Sequence, residues 1–208
     1  MKKAIILDLD NTIYPVSSIA DNLFNKVFGF VDSLAEEIGL EEVEKVKEEM
    51  KRRPYHQVAE KFNFSDAAKN KGLEMLKNLE YSLPIQPYDE YKYISEIKID
   101  KFLVTTGFTK LQWSKIKQLG IEADFKAIYI VDPEVSATTK KDIFNMIMNV
   151  NNYLPKELLI IGDDPESEIK AATSLGIDTF LFDSEGRHQN APATHSSKNL
   201  KDAVVIFS

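Results

Sequence analysis

Residues Ala4–Leu9 form an almost unbroken apolar run, interrupted by Asp8 and closed by Asp10. A continuous run of this length, rather than an alternating one, marks a strand covered on both faces, as in a parallel sheet packed between helices. Such a strand needs parallel neighbours, yet none follows directly. From Ser17 the period changes: Ala20, Leu23, Phe24, Val27, Phe28, Val31, Leu34, Ala35 and Ile38 keep helical spacing. Ser18 with Asp21 predicts an N-terminal capping box, and Gly39 a C-terminal stop. A charged helix is expected over about Glu41–Met50, a third after Pro54, and a fourth capped by Ser65. Gly72 inside the fourth costs about 1 kcal/mol relative to Ala.

After the linker Ser82–Tyr88 the chain alternates. Strands are expected at Lys101–Thr105, Ala127–Val131, Leu158–Ile161 and Thr179–Phe182. Helices are expected at Thr109–Leu119, Thr139–Val150, Glu166–Leu175 and Asn199–Val205, with a polar surface loop over Ser184–Ser197. Alternation of this kind builds a Rossmann-like α/β fold, a parallel sheet with helices on both faces. The expected organisation is therefore an α/β core of residues 1–14 and 86–208, interrupted by a four-helix cap of residues 15–85.

Composition narrows the function. The chain has 208 residues, 43% hydrophobic and 28% charged, with a formal charge of −7. It shows no basic stripe interleaved with aromatics, which argues against a nucleic-acid partner. It has no cysteine, which removes disulfides, thiolate nucleophiles and Cys-bound zinc and fits a reducing cytoplasm. The apolar run after Lys2 and Lys3 is too short for a signal-peptide core, and no stretch reaches membrane-spanning length. A cytoplasmic protein without membrane contact is expected.

In an open parallel sheet the ligand site lies outside the carboxyl ends of the strands. Those ends supply Asp8 and Asp10, then Thr105, Thr106 and Gly107, then Lys140 at a helix start, then Asp163 and Asp164. Crowded carboxylates either take up protons or bind a cation. A set of oxygen donors without Cys or His favours Mg2+, held by one or two carboxylates together with a substrate phosphate. His56, His188 and His195 have no metal-ligand spacing.

Four stretches, "DLDNT", "FLVTTGF", "TTKKDIF" and "IIGDDPESEIKAATSLGI", resemble in order the four motifs of the haloacid dehalogenase superfamily. The helical insertion is similar to the C1 cap of that superfamily. The resemblance implies that Asp8 attacks phosphorus and forms an aspartyl-phosphate. It implies that Asp10 protonates the leaving oxygen and then activates water. Asp8, the Asp10 carbonyl and Asp163 would hold Mg2+, with Asp164 or Glu168 as outer partner; Glu168 stands where the motif usually has Asp. Thr105, Thr106 and Lys140 would bind the phosphoryl group, Lys140 matching the motif better than Lys141. Haloacid dehalogenases lack an acid at the position of Asp10, because a halide leaves without a proton, so a phosphatase is expected. Its substrate would be a small phosphorylated metabolite. "DLDNTIYP" before a helical cap also resembles pyrimidine 5'-nucleotidase-like members, which points to a nucleoside monophosphate. A sugar-phosphate mutase, a phosphonate hydrolase and a non-catalytic metabolite-binding relative are the alternatives. Arg52 and Arg53, beside a helix break in the cap, are candidate substrate contacts, although such a pair also suits a solvated face. Glu168 has a similar second reading, as a solvent-facing residue at a helix N-terminus.

Overall fold

The computed structural model describes residues 1–188 and 190–207. Among these, six parallel strands form one sheet: β1 (Ala4–Leu7), β2 (Asp100–Thr106), β3 (Ala127–Val131), β4 (Leu158–Gly162), β5 (Asp178–Phe182) and β6 (His195–Ser197). Their order is β3-β2-β1-β4-β5-β6. The chain builds outward from β1 in one direction, then returns to its other side with β4, so the order reverses beside β1. That reversal opens a crevice at the carboxyl ends of β1 and β4, the place where such sheets bind ligands.

Burial on both faces accounts for the continuous apolar run. Ile5 and Leu7 join one core cluster, and Ala4 and Ile6 join the other with Phe102, Val104 and Ile160. Successive residues of a strand point to opposite faces, so two apolar layers demand apolar residues at every position.

Between β1 and the linker Ser82–Tyr88 the chain forms five helices: α1 (Ala20–Asp32), α2 (Ala35–Ile38), α3 (Leu40–Met50), α4 (Tyr55–Lys61) and α5 (Asp66–Lys77). The helix expected from Ser17 to Ile38 breaks at Ser33–Leu34, which makes five of the expected four. The Ser18–Asp21 box does not form. A 3-10 turn over Val16–Ser18 precedes α1, and Ser18 Oγ donates to the Pro15 carbonyl at 2.7 Å instead. Gly39 does follow α2, and Ser65 Oγ does cap α5 by accepting from the Ala68 amide at 3.2 Å. The apolar cluster continues from the sheet into these helices through Val27, Val31, Val46 and Val58. The two links to the insertion run side by side, joined by the Tyr88 amide donating to the Ile13 carbonyl at 2.8 Å.

The remaining helices are α6 (Tyr91–Ser95), α7 (Thr109–Leu119), α8 (Lys140–Asn151) and α9 (Lys170–Thr173), and a 3-10 helix covers Leu200–Phe207. α6 has no counterpart in the sequence reading. β6 lies at the end of the segment read as a loop over Ser184–Ser197, of which Gln189 lies outside the described residues. Before α9 the chain winds as a wide π turn over Pro165–Ile169. No described helix is long and apolar enough to cross a membrane.

Gly72 is explained by packing. A Cβ there would lie 2.1 Å from the Tyr55 hydroxyl, which donates to the Ala68 carbonyl at 2.9 Å. Gly72→Ala should therefore lower stability by about 1–3 kcal/mol, against the gain of roughly 1 kcal/mol that helix propensity alone would give. A urea titration decides by sign: a midpoint at or above that of the parent would refute the packing explanation.

Candidate active site

Asp8 directly follows β1, where its amide donates to the Ile161 carbonyl of β4 at 3.0 Å. Three residues on, Asn11 takes a left-handed conformation with φ 57°, and its Oδ1 accepts from the Val16 amide at 3.1 Å. Asn tolerates that conformation better than most residues. The turn carries Asp10 out of the strand direction, so the two acids enter different surroundings.

Asp8 meets Lys140. A capping box between Thr139 and Asp142 starts α8 and leaves Lys140 as its first residue. Lys140 Nζ lies 2.6 Å from Asp8 Oδ1 and 2.7 Å from Glu168 Oε2. All three side chains are at most 8% exposed. Lys141 is exposed. Glu168 is not the solvent-facing residue of the second reading: the π turn folds it back over β4, and its Oε1 accepts from the Asp164 amide at 2.8 Å. Gly162 makes the space, since a Cβ there would stand 2.2 Å from Glu168 Oε1. The Asp164 carboxylate instead accepts from the Glu166 amide at 2.9 Å, inside its own turn.

Asp163, half-buried, completes an acidic group. Asp8, Asp163 and Glu168 each offer an oxygen, and these lie within 4.8 Å of one another. Burial raises the Asp8 carboxyl to about 7, eased by Lys140 and reinforced by Glu168 and Asp10. Asp163 is pushed well above the usual carboxylate range by burial, then by Glu168 and Asp8. For Glu168 burial also opposes the charge, but Lys140 and the hydrogen bonds outweigh it and hold the group low. Lys140 resists burial in the same way and is raised by Asp8 and Glu168. The donors are all carboxylate oxygens, and burial and mutual repulsion disfavour charge on two of the three. Both facts fit a hard divalent cation such as Mg2+.

Asp10 is held by groups that the sequence reading missed. Lys115 Nζ lies 2.8 Å from its Oδ1 and 3.0 Å from its Oδ2, and Gln112 Nε2 donates to Oδ2 at 2.9 Å. The Tyr14 hydroxyl also donates to Oδ1. Burial pushes the Asp10 carboxyl up, but Lys115 and these hydrogen bonds prevail and hold it below its usual value. Burial, followed by the Asp10 charge, raises Tyr14, which keeps its proton as a donor. Gln112 Nε2 further donates to Thr105 Oγ1 at 2.6 Å. That bond uses one of the two lone pairs of the Thr105 hydroxyl and leaves its proton to be donated.

The acids, the two lysines, Gln112 and Thr105 line one wall of a cavity of about 380 Å3. Thr106 joins them at the sheet edge. The insertion supplies the opposite wall, with Phe24, Met50, Leu73 and Leu76 as apolar surface and Arg52, Arg53 and His56 among the polar groups. Arg53 pairs with Glu49 at 3.0 Å within the insertion, and Arg52 reaches Glu185 beyond β5 at 3.5 Å.

Comparison with known proteins gives one consistent picture. A family model described as haloacid dehalogenase-like hydrolase matches residues 2–176. The HAD-hydrolase YfnB of Bacillus subtilis is 26% identical over 115 residues, 53% of this chain and 48% of YfnB. Its magnesium-bound crystal structure superposes with a TM-score of 0.67 at 18% identity, covering 100% of this chain and 99% of that one. The glyceraldehyde 3-phosphate phosphatase of Pyrococcus furiosus is 30% identical over 80 residues, 38% of this chain and 33% of the relative. The sequence matches thus span about half of the first curated relative and a third of the second. A haloacid dehalogenase-like hydrolase of Streptococcus pneumoniae, SP0104, has a TM-score of 0.72 at 17% identity, covering 100% of this chain and 99% of its own.

Lys140→Met should cost about 3 kcal/mol or more in urea unfolding at pH 7.5, because it strands two buried carboxylates. Their folded-state values would then lie above the unfolded ones, so the deficit should shrink as pH falls to 5 and both take up protons. A small loss, equal at both pH values, would show that the lysine does not compensate these acids.

Proposed function

Because the chain belongs to the haloacid dehalogenase-like hydrolases, we propose that it is a phosphatase cleaving a small phosphorylated metabolite through an aspartyl-phosphate on Asp8. The observation that carries this reading is the pair of carboxylates in opposite surroundings: Asp8 on Lys140 in the acidic group, and Asp10 on Lys115 and Gln112 beside it. A halide leaving group would need no second acid. A phosphate ester needs a proton on its leaving oxygen, and Asp10 supplies a carrier for it. The sequence relation to a phosphatase supports the same choice.

In the first step Asp8 Oδ2 bonds to phosphorus, the ester P–O bond breaks, and the leaving oxygen takes a proton from Asp10. In the second, Asp10 takes a proton from water, the water oxygen bonds to phosphorus, and the Asp8–phosphorus bond breaks to release phosphate. Lys140 holds Oδ1 of the nucleophile and, with the hydroxyls of Thr105 and Thr106, binds phosphoryl oxygens. Mg2+, when held by Asp8, the Asp10 carbonyl and Asp163, would supply Lewis-acid stabilisation of charge on the phosphoryl group. Glu168, in contact with Lys140 and the Asp164 amide, suits the outer role better than Asp164, whose carboxylate caps its own turn. The apolar wall of the cavity favours a leaving group with an apolar body, such as a nucleoside, over a short polyol. Arg52 and Arg53 are then placed to meet its polar or anionic parts.

Asp8→Asn should abolish hydrolysis of 4-nitrophenyl phosphate while thermal melting stays cooperative, because the amide is nearly isosteric and cannot form the acyl phosphate. Activity within about tenfold of the parent would sink the mechanism. Mg2+ should raise the melting temperature, since it binds the folded acidic group and not the unfolded chain. Asp163→Ala should remove that response, and a full magnesium shift in the variant would take Asp163 out of the metal site.

A further inference from the structure

Gln112 and Lys115 stand three residues apart on α7 and so share a face of the helix. That face is turned inward, and the two residues are only 1% and 4% exposed. Lysine is seldom buried so completely unless it is paired. Together with Tyr14 they place two donors on each oxygen of Asp10. A carboxylate has about four lone-pair sites, so the ionised group is saturated, and a proton joins it only where one of these donors gives way. It cannot rotate without surrendering a charge-assisted bond. The nitrogen of Gln112 that reaches Asp10 also reaches Thr105 Oγ1. One amide therefore sets the separation between the hydroxyl assigned to the phosphoryl group and the carboxylate assigned to the proton.

We propose that Lys115 and Gln112 are positioning residues of the reaction, which fix Asp10 against the leaving oxygen and in register with Thr105. The assignment rests on the phosphatase reading above. Both side chains border the cavity, as Asp10 does. The step they serve is the breaking of the ester P–O bond as Asp8 bonds to phosphorus, with the proton passing from Asp10 to the departing oxygen. An ion pair that merely secured α7 to the core would have no bearing on that proton.

Leaving-group dependence separates the two roles. An alkoxide needs its proton as the P–O bond breaks, whereas 4-nitrophenolate departs without one. The ratio kcat/KM covers only the steps through that bond cleavage, so water attack on the acyl phosphate does not enter. The test compares kcat/KM for 4-nitrophenyl phosphate with that for the alkyl ester cleaved fastest among nucleoside 5'-monophosphates and sugar phosphates. Lys115→Met and Gln112→Met should each lower the value for the alkyl ester at least about tenfold more than the value for the aryl ester, and Asp10→Asn should show the same selectivity. The ratio is internal to one preparation, so a partly unfolded variant leaves it unchanged. Equal fractional losses on both esters would overturn the assignment and leave the pair a structural role only. A parent protein that cleaves neither ester would overturn the phosphatase reading and, with it, this assignment.

Discussion

The buried ammonium of Lys140 is the group around which the site is organised. Three separate features of the chain converge on it. The β1–β4 register brings Asp8 to the edge of the sheet, the capping box of α8 sets Lys140 at the first helical position, and the π turn after β4 returns Glu168. Gly162 has no side chain where Glu168 must lie. Removing three charges from water is expensive, and their attraction repays it only when geometry and extra hydrogen bonds are good. The return is geometric: one oxygen of Asp8 is fixed on the lysine, at the border of the cavity.

The balance of charge extends this picture. Asp8, Asp10, Asp163 and Glu168 oppose the two ammonium groups of Lys140 and Lys115. Two negative charges remain, the amount a divalent cation supplies. The excess falls on Asp8 and Asp163, both raised, and not on Asp10, which has Lys115 to itself. Held ionised by Lys115, Asp10 is suited to take the proton from water, a proton it then carries to the next leaving oxygen. In the bare protein the direction at Asp8 reflects burial and the neighbouring acids, and a cation beside it would reverse that direction.

Much of this was legible in the sequence because strand ends and helix starts are also positions in the site. Asp8, Thr105, Lys140 and Asp163 each sit at such a boundary, so order along the chain translated into place. Gln112 and Lys115 sit in mid-helix, where position along the chain says little about the site. One signal was present: the inward stripe of α7, with Leu111, Ile116 and Leu119, carries these two polar residues as well. The solvent-facing alternative for Glu168 fails for a different reason. Helical spacing assumes a regular turn, and the wide π turn rotates the side chain inward. β6, with only His195, Ser196 and Ser197, offers no apolar pattern to read, and its pairing with β5 supplies the order. The break between α1 and α2 leaves the apolar period intact, so periodicity could not reveal it.

The insertion is held over the site by apolar packing more than by charge. Ion pairs do cross between the two parts: Arg52–Glu185 at 3.5 Å and Lys77–Glu134 at 2.5 Å. Their side chains are 33–53% exposed, and pairs so open to solvent contribute little net stability and weaken with salt. The apolar cluster, by contrast, is continuous from Ile5 and Leu7 in the sheet to Val27 and Val46 in the helices. Burial of that surface sets where the cap wall stands. Because Arg52 and Glu134 both border the cavity, the pairs that cross between cap and core also shape the space into which a leaving group must fit.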